Sequence, residues 1–386
     1  MSVSNGIATS SFRLPGGADE HMIAIAAPEA GGFDFQLDAL TRRYAEAVQS
    51  LRIAPDSAVF RRVYVSDAAN QAAAVWDSPL AREPGDAVPA VSVVQQPPAA
   101  GAKLALLAWH LDDPAGAGRR RHGPGEMLLE RNGRGHLWTT GACAGATTAP
   151  VPTAAQTEAV FDRLSARLAA AGGSLAGNCI RTWIYVRDVD VFYQEMVEAR
   201  TALFARAGLT RETHYIASTG IAGACAHRYD TVLMDAWSVL GLQPGQVSYL
   251  NDFDRLCPTH DYNVTFERGT RVAYGDRAHC LISGTASIDA AGRVVHRGDV
   301  ARQLDRALEN VAALLADGGA GLGDLTHLLV YLRDTADTPW VEAALAERFP
   351  ALPVLVLRGA VCRPEWLVEV EGIAVTADGR AGLAPF

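Results

Sequence analysis

The sequence predicts an α/β (α+β) protein: three small units repeated in one chain as a pseudo-trimer, each a mixed sheet with helices on one face. Two observations predict it. A glutamine near the start of an amphipathic helix is followed, one strand later, by a tyrosine and then an aspartate three residues on. The sets are Gln36, Tyr64 and Asp67; Gln156, Tyr185 and Asp188; and Gln303, Tyr331 and Asp334. Their spacing is almost constant, and self-similarity in such register is the signature of an architecture built from copies of one unit. The second observation is the order of patterns in each copy: strand, helix, strand, helix and two closing strands. That order puts helix stripes on one face of a mixed sheet.

The copies open with strand-like runs at Met22–Ala26, Leu137–Thr140 and Leu281–Ser283. Helices with an apolar residue every three or four positions follow: Leu37, Leu40, Tyr44, Val48 and Leu51; Val160, Phe161, Leu164 and Leu168; Leu304, Leu308, Val311 and Leu315. Second strands come at Val63–Val65, Trp183–Val186 and Leu328–Leu332, then weaker helices such as Val191–Ala205 and Trp340–Arg348. The closing pairs are Ala90–Val94 with Leu104–Trp109, Tyr215–Ala217 with Val232–Trp237, and Val354–Leu357 with Leu367–Val375. Units are expected over 1–134, 135–240 and 241–386. Clefts between such units are favoured places for small-molecule sites. Asp112–Arg134, rich in Gly, Pro and Arg, reads as an exposed loop whose Arg119–Arg120–Arg121 run is solvated charge. Gly241–Arg277, carrying Tyr262, Arg268, Tyr274 and Gly275, is a connection long enough to be functional.

Nearly half of the 386 residues are hydrophobic (49%) and 20% are charged, a composition able to bury a large core. A net charge of −9 argues against nucleic acid as the main partner. No basic stretch leads into an apolar run at the N-terminus, and no apolar segment approaches the length of a membrane span, so a cytoplasmic protein without membrane contact is expected. Six scattered cysteines without a CxxC motif or a pairing to histidines predict reduced thiols and no metal.

Glu369 and Glu371 lie two apart on the apolar strand Leu367–Ile373, hence on one face. Two buried carboxylates side by side raise the pKa of one of them, which is the state a general acid needs. The alternative is an exposed edge strand with solvated acids. Arg181 shares a face with Trp183 and Tyr185 and predicts an anionic ligand or a structural ion pair. The His214–Ile221 run supplies hydroxyls and a glycine, and Arg228 follows it; together they offer a carboxylate clamp or simply a polar turn.

Ser283-Gly284-Thr285, the helix near Gln303, Val330–Asp334 and the Val368–Ala374 ending resemble the RidA/YjgF family of small trimeric proteins with ligand sites between subunits. Its imine-hydrolysing members carry an arginine where this chain has Leu355, which disfavours simple imine hydrolysis. A fuller resemblance is to the chorismatases. It rests on Arg181-Thr182-Trp183-Ile184-Tyr185, Ala217-Ser218-Thr219-Gly220-Ile221, the Tyr274-Gly275 pair, and Cys362 seven residues before Glu369. The resemblance implies cofactor-free cleavage of the enolpyruvyl ether of chorismate, with Glu369 protonating the enolpyruvyl methylene and Glu371 as a rival for that role. Gly275 and Cys362 beside the ring imply the subgroup that forms 3-hydroxybenzoate and pyruvate, in which the substrate's 4-hydroxyl attacks. The other subgroup hydrolyses chorismate to 3,4-dihydroxycyclohexa-1,5-diene carboxylate and pyruvate. Chorismate is a dianion, and Arg181, Arg228, Tyr215, Ser218 and Thr219, with Tyr274, are the expected binding residues. A single chain holding its own clefts is expected to work as a monomer. The remaining readings are a RidA-like imine hydrolase and a non-catalytic metabolite-binding protein.

Overall fold

The computed structural model describes residues 6–82, 89–113, 116, 118–123, 125–145, 148–262 and 264–386. The first unit runs β1 (Ile7–Phe12), β2 (Asp19–Ala26), α1 (Phe33–Leu51), β3 (Ala58–Val65), α2 (Ala68–Asp77), β4 (Ala90–Gln95) and β5 (Leu104–Asp112). The second runs β6 (Gly118–Gly123), β7 (Glu126–Arg131), β8 (Arg134–Cys143), α3 (Thr153–Ala170), the short α4 (Leu175–Asn178), β9 (Cys179–Val186), α5 (Val189–Arg206), β10 (Ala217–Ala222) and β11 (Val232–Leu240). The third runs β12 (Val247–Tyr249), β13 (Gly269–Ala273), β14 (Ala278–Ala286), α6 (Val300–Asp317), β15 (Leu325–Leu332), α7 (Thr338–Arg348), β16 (Val354–Arg358) and β17 (Val368–Thr376).

The three sheets share one topology. Their orders contain β2-β5-β3-β4, β8-β11-β9-β10 and β14-β17-β15-β16, with the third strand of each quartet parallel to the fourth. Each sheet is extended beside its opening strand, by β1, by β7 and β6, and by β13 and β12. The expected loop over Asp112–Arg134 is therefore corrected: β6 and β7 form a hairpin on the second sheet, with Met127 and Leu129 buried. Gly, Pro and Arg mark its turns, but Met127-Leu128-Leu129 is a short apolar run buried on both faces, as in a covered strand. The side chains of Arg119–Arg120–Arg121 and Tyr262 lie outside the described residues. The strand expected at Tyr215–Ala217 is shifted to β10, because Ser218, Thr219 and Gly220 pair with β9 rather than turning.

The repeated glutamines each tie a helix to the closing strand of the same unit. The side-chain oxygens of Gln36, Gln156 and Gln303 accept from the backbone amides of Lys103, Thr231 and Leu367 at 2.7, 2.8 and 2.8 Å. The aspartates start the next helical turn. Asp67 accepts from Asn70 N at the head of α2, Asp334 accepts from Ala336 N, and Asp188 takes the N-cap position of α5. The tyrosines Tyr64, Tyr185 and Tyr331 are fully buried in a core cluster drawn from all three units. Each helix face packs on its own sheet, and the other sheet faces meet around these tyrosines. Among the described residues no helix is long and apolar enough to cross a membrane.

Candidate active site

Register fixes which positions correspond in the three clefts. Opposite the tyrosines Tyr331, Tyr185 and Tyr64 stand Glu369, Leu233 and Ala105, and two residues on come Glu371, Asp235 and Leu107. Only the third unit thus presents two carboxylates, and both are buried on β17. The edge-strand alternative is excluded, since β17 pairs on both sides.

Glu371 is saturated. It accepts from Trp183 Nε1 at 3.0 Å, from the Tyr331 hydroxyl at 2.8 Å, from Arg181 Nη2 at 2.5 Å and from the Thr219 hydroxyl. Such a set of donors occupies both oxygens and fixes the carboxylate in place. Arg181 also donates to Thr182 O, Thr219 Oγ1 and Ile282 O. Its guanidinium stays buried in this network, so the reading of Arg181 as an ion pair holds and that of a direct ligand-binding arginine does not.

Glu369 differs in every respect. Its Oε1 has no hydrogen-bond partner among the described residues. Burial, with the neighbouring Glu371 charge adding to it, pushes its pKa up to about 8. It is a neutral acid near pH 7. Gly284, at the irregular step in β14, makes room: a Cβ there would stand 2.4 Å from Glu369 Oε1. The Gly284 amide donates to Thr219 Oγ1 at 2.8 Å, which ties this step to the Glu371 network.

The acid opens into a cavity between the second and third units. The second unit contributes Tyr193, Arg200, Ser218 and Gly220; the third contributes Phe266, Arg268, Gly284, Ala286, Ile288, Cys362, Trp366 and Glu369. Arg200 and Arg268 are buried, and their guanidinium groups lie near Phe204 and Phe266 respectively. Ser218 Oγ accepts from Thr182 Oγ1 at 2.9 Å. Burial first, and then the Glu369 charge, push the Cys362 thiol up to about 12, so it is a neutral wall of the cavity rather than a thiolate nucleophile.

Of the expected site residues, Glu369, Cys362 and Ser218 line this cavity, while Thr219 and Arg181 stand behind it on Glu371. Four others do not belong to it. Arg228 is exposed and lies over the Tyr229 ring. Tyr215 packs on Phe204, and its backbone amide donates to Glu267. Tyr274 is buried among His136, His279 and Phe386. Gly275 lies under the C-terminal segment, where a Cβ would meet Leu383 O at 2.3 Å. The small residue beside Cys362 and the acid is therefore Gly284. Arg200 was missed although it carried a signal: Met196, Val197, Arg200, Leu203 and Phe204 share one buried face of α5, and an arginine on such a stripe needs a partner.

The Endoribonuclease L-PSP family matches residues 270–376. The chain is 34% identical to 3-aminoacrylate deaminase RutC of Acinetobacter baylyi over 95 residues, 24% of this chain and 75% of that protein. It is 34% identical to a 3-hydroxybenzoate synthase of Streptomyces hygroscopicus over 28% of this chain and 34% of that protein. A chorismatase of the same organism matches at 28% identity over 50% of this chain and 60% of that protein. A chorismatase crystal structure superposes with a TM-score of 0.62 at 20% identity, covering 83% of this chain and 93% of that one. The matched stretches span between about a third and three fifths of the length of the two Streptomyces relatives. The three units are RidA-like, and the third carries the L-PSP family pattern. More particularly, the chain as a whole has the fold of that chorismatase structure.

Proposed function

We propose that the cavity between the second and third units converts chorismate to 3-hydroxybenzoate and pyruvate. The observation that carries this reading is Glu369, a buried carboxylic acid that keeps its proton near neutrality, with one oxygen unpartnered at a cavity flanked by two arginines. Arg200 and Arg268 hold the two substrate carboxylates, taking the part first expected of Arg181 and Arg228. Glu369 then protonates the enolpyruvyl methylene, giving an oxocarbenium-like centre. The substrate's 4-hydroxyl attacks the adjacent ring carbon, the C–O bond to the side chain breaks, and pyruvate leaves. The hydroxyl proton returns to Glu369, and the ring oxide opens to the phenol. The atoms of chorismate equal those of 3-hydroxybenzoate plus pyruvic acid, so no water is consumed. Anchoring both carboxylates supplies the attack geometry. Glu371, held in place by its four donors, serves as the nearby charge that helps keep Glu369 protonated and disperses the developing cation.

The neutral walls formed by Cys362, Trp366 and Ile288 favour internal attack over capture by water. The whole cavity lies within one chain, so the monomer is expected to be active. The test is incubation of the purified protein with chorismate and identification of products by mass and ultraviolet spectrum. Pyruvate with 3-hydroxybenzoate is expected. The diene instead would move the chain to the hydrolytic subgroup, and intact chorismate would overturn the reading.

A further inference from the structure

The cleft between the first and second units is the sister of the acid cavity, and its chemistry-bearing positions hold a different set of residues. In the acid cavity Ala286 pairs with Glu369; in the sister, Cys143 pairs with Leu233. Ala222 and Arg358 occupy matching ends of β10 and β16. The loops from there to Val232 and Val368 are equally long. Cys225, His227 and Asp230 accordingly stand where the acid cavity has Val361, Arg363 and Trp366. No proton donor replaces Glu369, so this cleft cannot repeat the acid chemistry.

What it holds is a compact donor set. One ligand atom each from Cys143, His227 and Asp230 lies within 4.8 Å of the others. Cys225 Sγ stands 3.8 Å from Asp230 Oδ2, and its thiol is in hydrogen-bond contact with that of Cys143. Asp230 is 1% exposed, while His227 is open to solvent and free to swing. The loop bearing three of these residues is clamped from behind. Arg187 donates to the carbonyls of Asp230, Cys225 and His227 at 3.0, 3.1 and 3.0 Å. Gly145 N donates to Asp230 Oδ2 at 3.2 Å. Among the described residues the acid cavity has no such donor set.

We propose that this sister cleft is a zinc-class metal site with Cys143, Cys225, His227 and Asp230 as its four ligands. Two sulfurs, one imidazole nitrogen and one carboxylate oxygen suit a tetrahedral, borderline-soft divalent ion and disfavour magnesium or calcium. In such a site neighbouring ligand atoms stand about 3.3–3.8 Å apart, so the present spread closes by rotation of His227 and the two thiols. Binding expels the two Sγ protons, and the ion with two thiolates and one carboxylate carries a net charge of −1. The site closes the loop between β10 and β11 onto β8, a structural role separate from turnover in the acid cavity.

The test titrates Co2+ into reduced, metal-free, full-length protein under anaerobic conditions. One equivalent should bind with a near-ultraviolet thiolate-to-cobalt band and the intense visible bands of a tetrahedral site, and one equivalent of Zn2+ should bleach both. Cys143→Ser with Cys225→Ser should abolish the charge-transfer band. His227→Ala, at an exposed position that folding does not need, should weaken binding about tenfold or more, since even outer-shell losses cost that much. Cys362→Ser should leave the spectrum unchanged. Absence of a stoichiometric tetrahedral spectrum, or one that survives the double cysteine variant, would overturn the proposal. Formation of a Cys143–Cys225 disulfide on mild oxidation, with no cobalt spectrum in the reduced protein, would assign the pair to redox chemistry instead.

Discussion

Between the second and third units, Trp183 and Thr219 hydrogen-bond the Glu371 carboxylate; between the first and second, Arg62 and Ser92 bond Asp235 in the corresponding places. Arg62 corresponds to Trp183 and Ser92 to Thr219 by strand register. Even the glycine step is shared, since Gly141 N donates to Asp235 as Gly284 N does to Thr219. The two clefts have nearly the same polar frame, and they part at the next position outward, Glu369 against Leu233. The lesson is a division of labour. The inner acid is held by matching donors in both clefts, while the outer one is present only in the cleft proposed to move a proton. The third cleft carries the contrast further, with Leu329, Leu355 and Leu107 in place of both frames and a groove lined by Ala26, Ala102, Leu345 and Phe349.

Substitutions at matched positions break or sharpen this comparison. The largest effect on turnover is expected from Glu369→Gln, which should lower chorismate consumption by about 1000-fold or more, within the reach of general acid catalysis. The same change should stabilise the protein at neutral pH. Folded protein keeps the Glu369 proton up to about pH 8, whereas the unfolded chain releases it near 4.5, so stability falls as pH rises between those values. Removing that cost is worth at most about 3 kcal/mol at pH 7, read as a raised melting temperature. A variant that is both active and no more stable would show that Glu369 is neither the acid nor a buried proton.

Next come the inner pairs. Arg181→Ala and Arg62→Ala each strand a buried carboxylate and should each cost about 3–5 kcal/mol in denaturant unfolding. Only Arg181→Ala should also suppress turnover in protein that remains folded; equal suppression by Arg62→Ala would contradict the separation of the clefts. A pH profile is the third measure. Turnover should fall as pH rises through about 8, where Glu369 loses its proton, and Glu369→Asp should move that limb. A flat profile across this range would remove the acid from the rate-limiting step.

The glycines give smaller effects. Gly284→Ala drives a methyl into the Glu369 carboxyl and should reduce turnover about tenfold. Its sister Gly141 has no neighbour within 4 Å but a φ of +67°, so Gly141→Ala should cost about 1 kcal/mol of stability and leave turnover unchanged. The smallest effect on turnover is expected at Gly275→Ala, which drives a methyl against the Leu383 carbonyl and should lower stability but leave the product ratio as it was. A shift toward the diene in that variant would restore Gly275 to the reaction.

The repeat was legible because its markers act locally. Gln36, Gln156 and Gln303 each bond within their own unit, and the helix stripes face their own sheets. Glu369 stood out as well, since two acids on a strand of Val and Ile left pairing, function or an exposed edge, and the pairing of β17 on both sides removes the edge. Three things were hidden. The β6–β7 hairpin was masked by its turn residues. Serine, threonine and glycine in β10 resemble a turn until β9 and the Arg181–Glu371 network satisfy their hydroxyls. Cys143 stands far in sequence from His227 and Asp230, and only the pairing of β8 with β11 brings it near them. Arg228 and Gly275 were misplaced for the same reason, because closeness in sequence to a motif does not fix the side of a strand or the cleft it faces.

The joining of three units in one polypeptide has a genetic consequence. In a ring of identical chains every codon is read three times, so any change meant for one cleft is imposed on all. Here each cleft is spelled by its own codons. A mutation that removes an acid or adds a cysteine is felt once, and the other two clefts keep holding the molecule together while the altered one drifts. Losing threefold identity is thus what lets one gene carry an acid site, a thiol cluster and an apolar groove on a single plan.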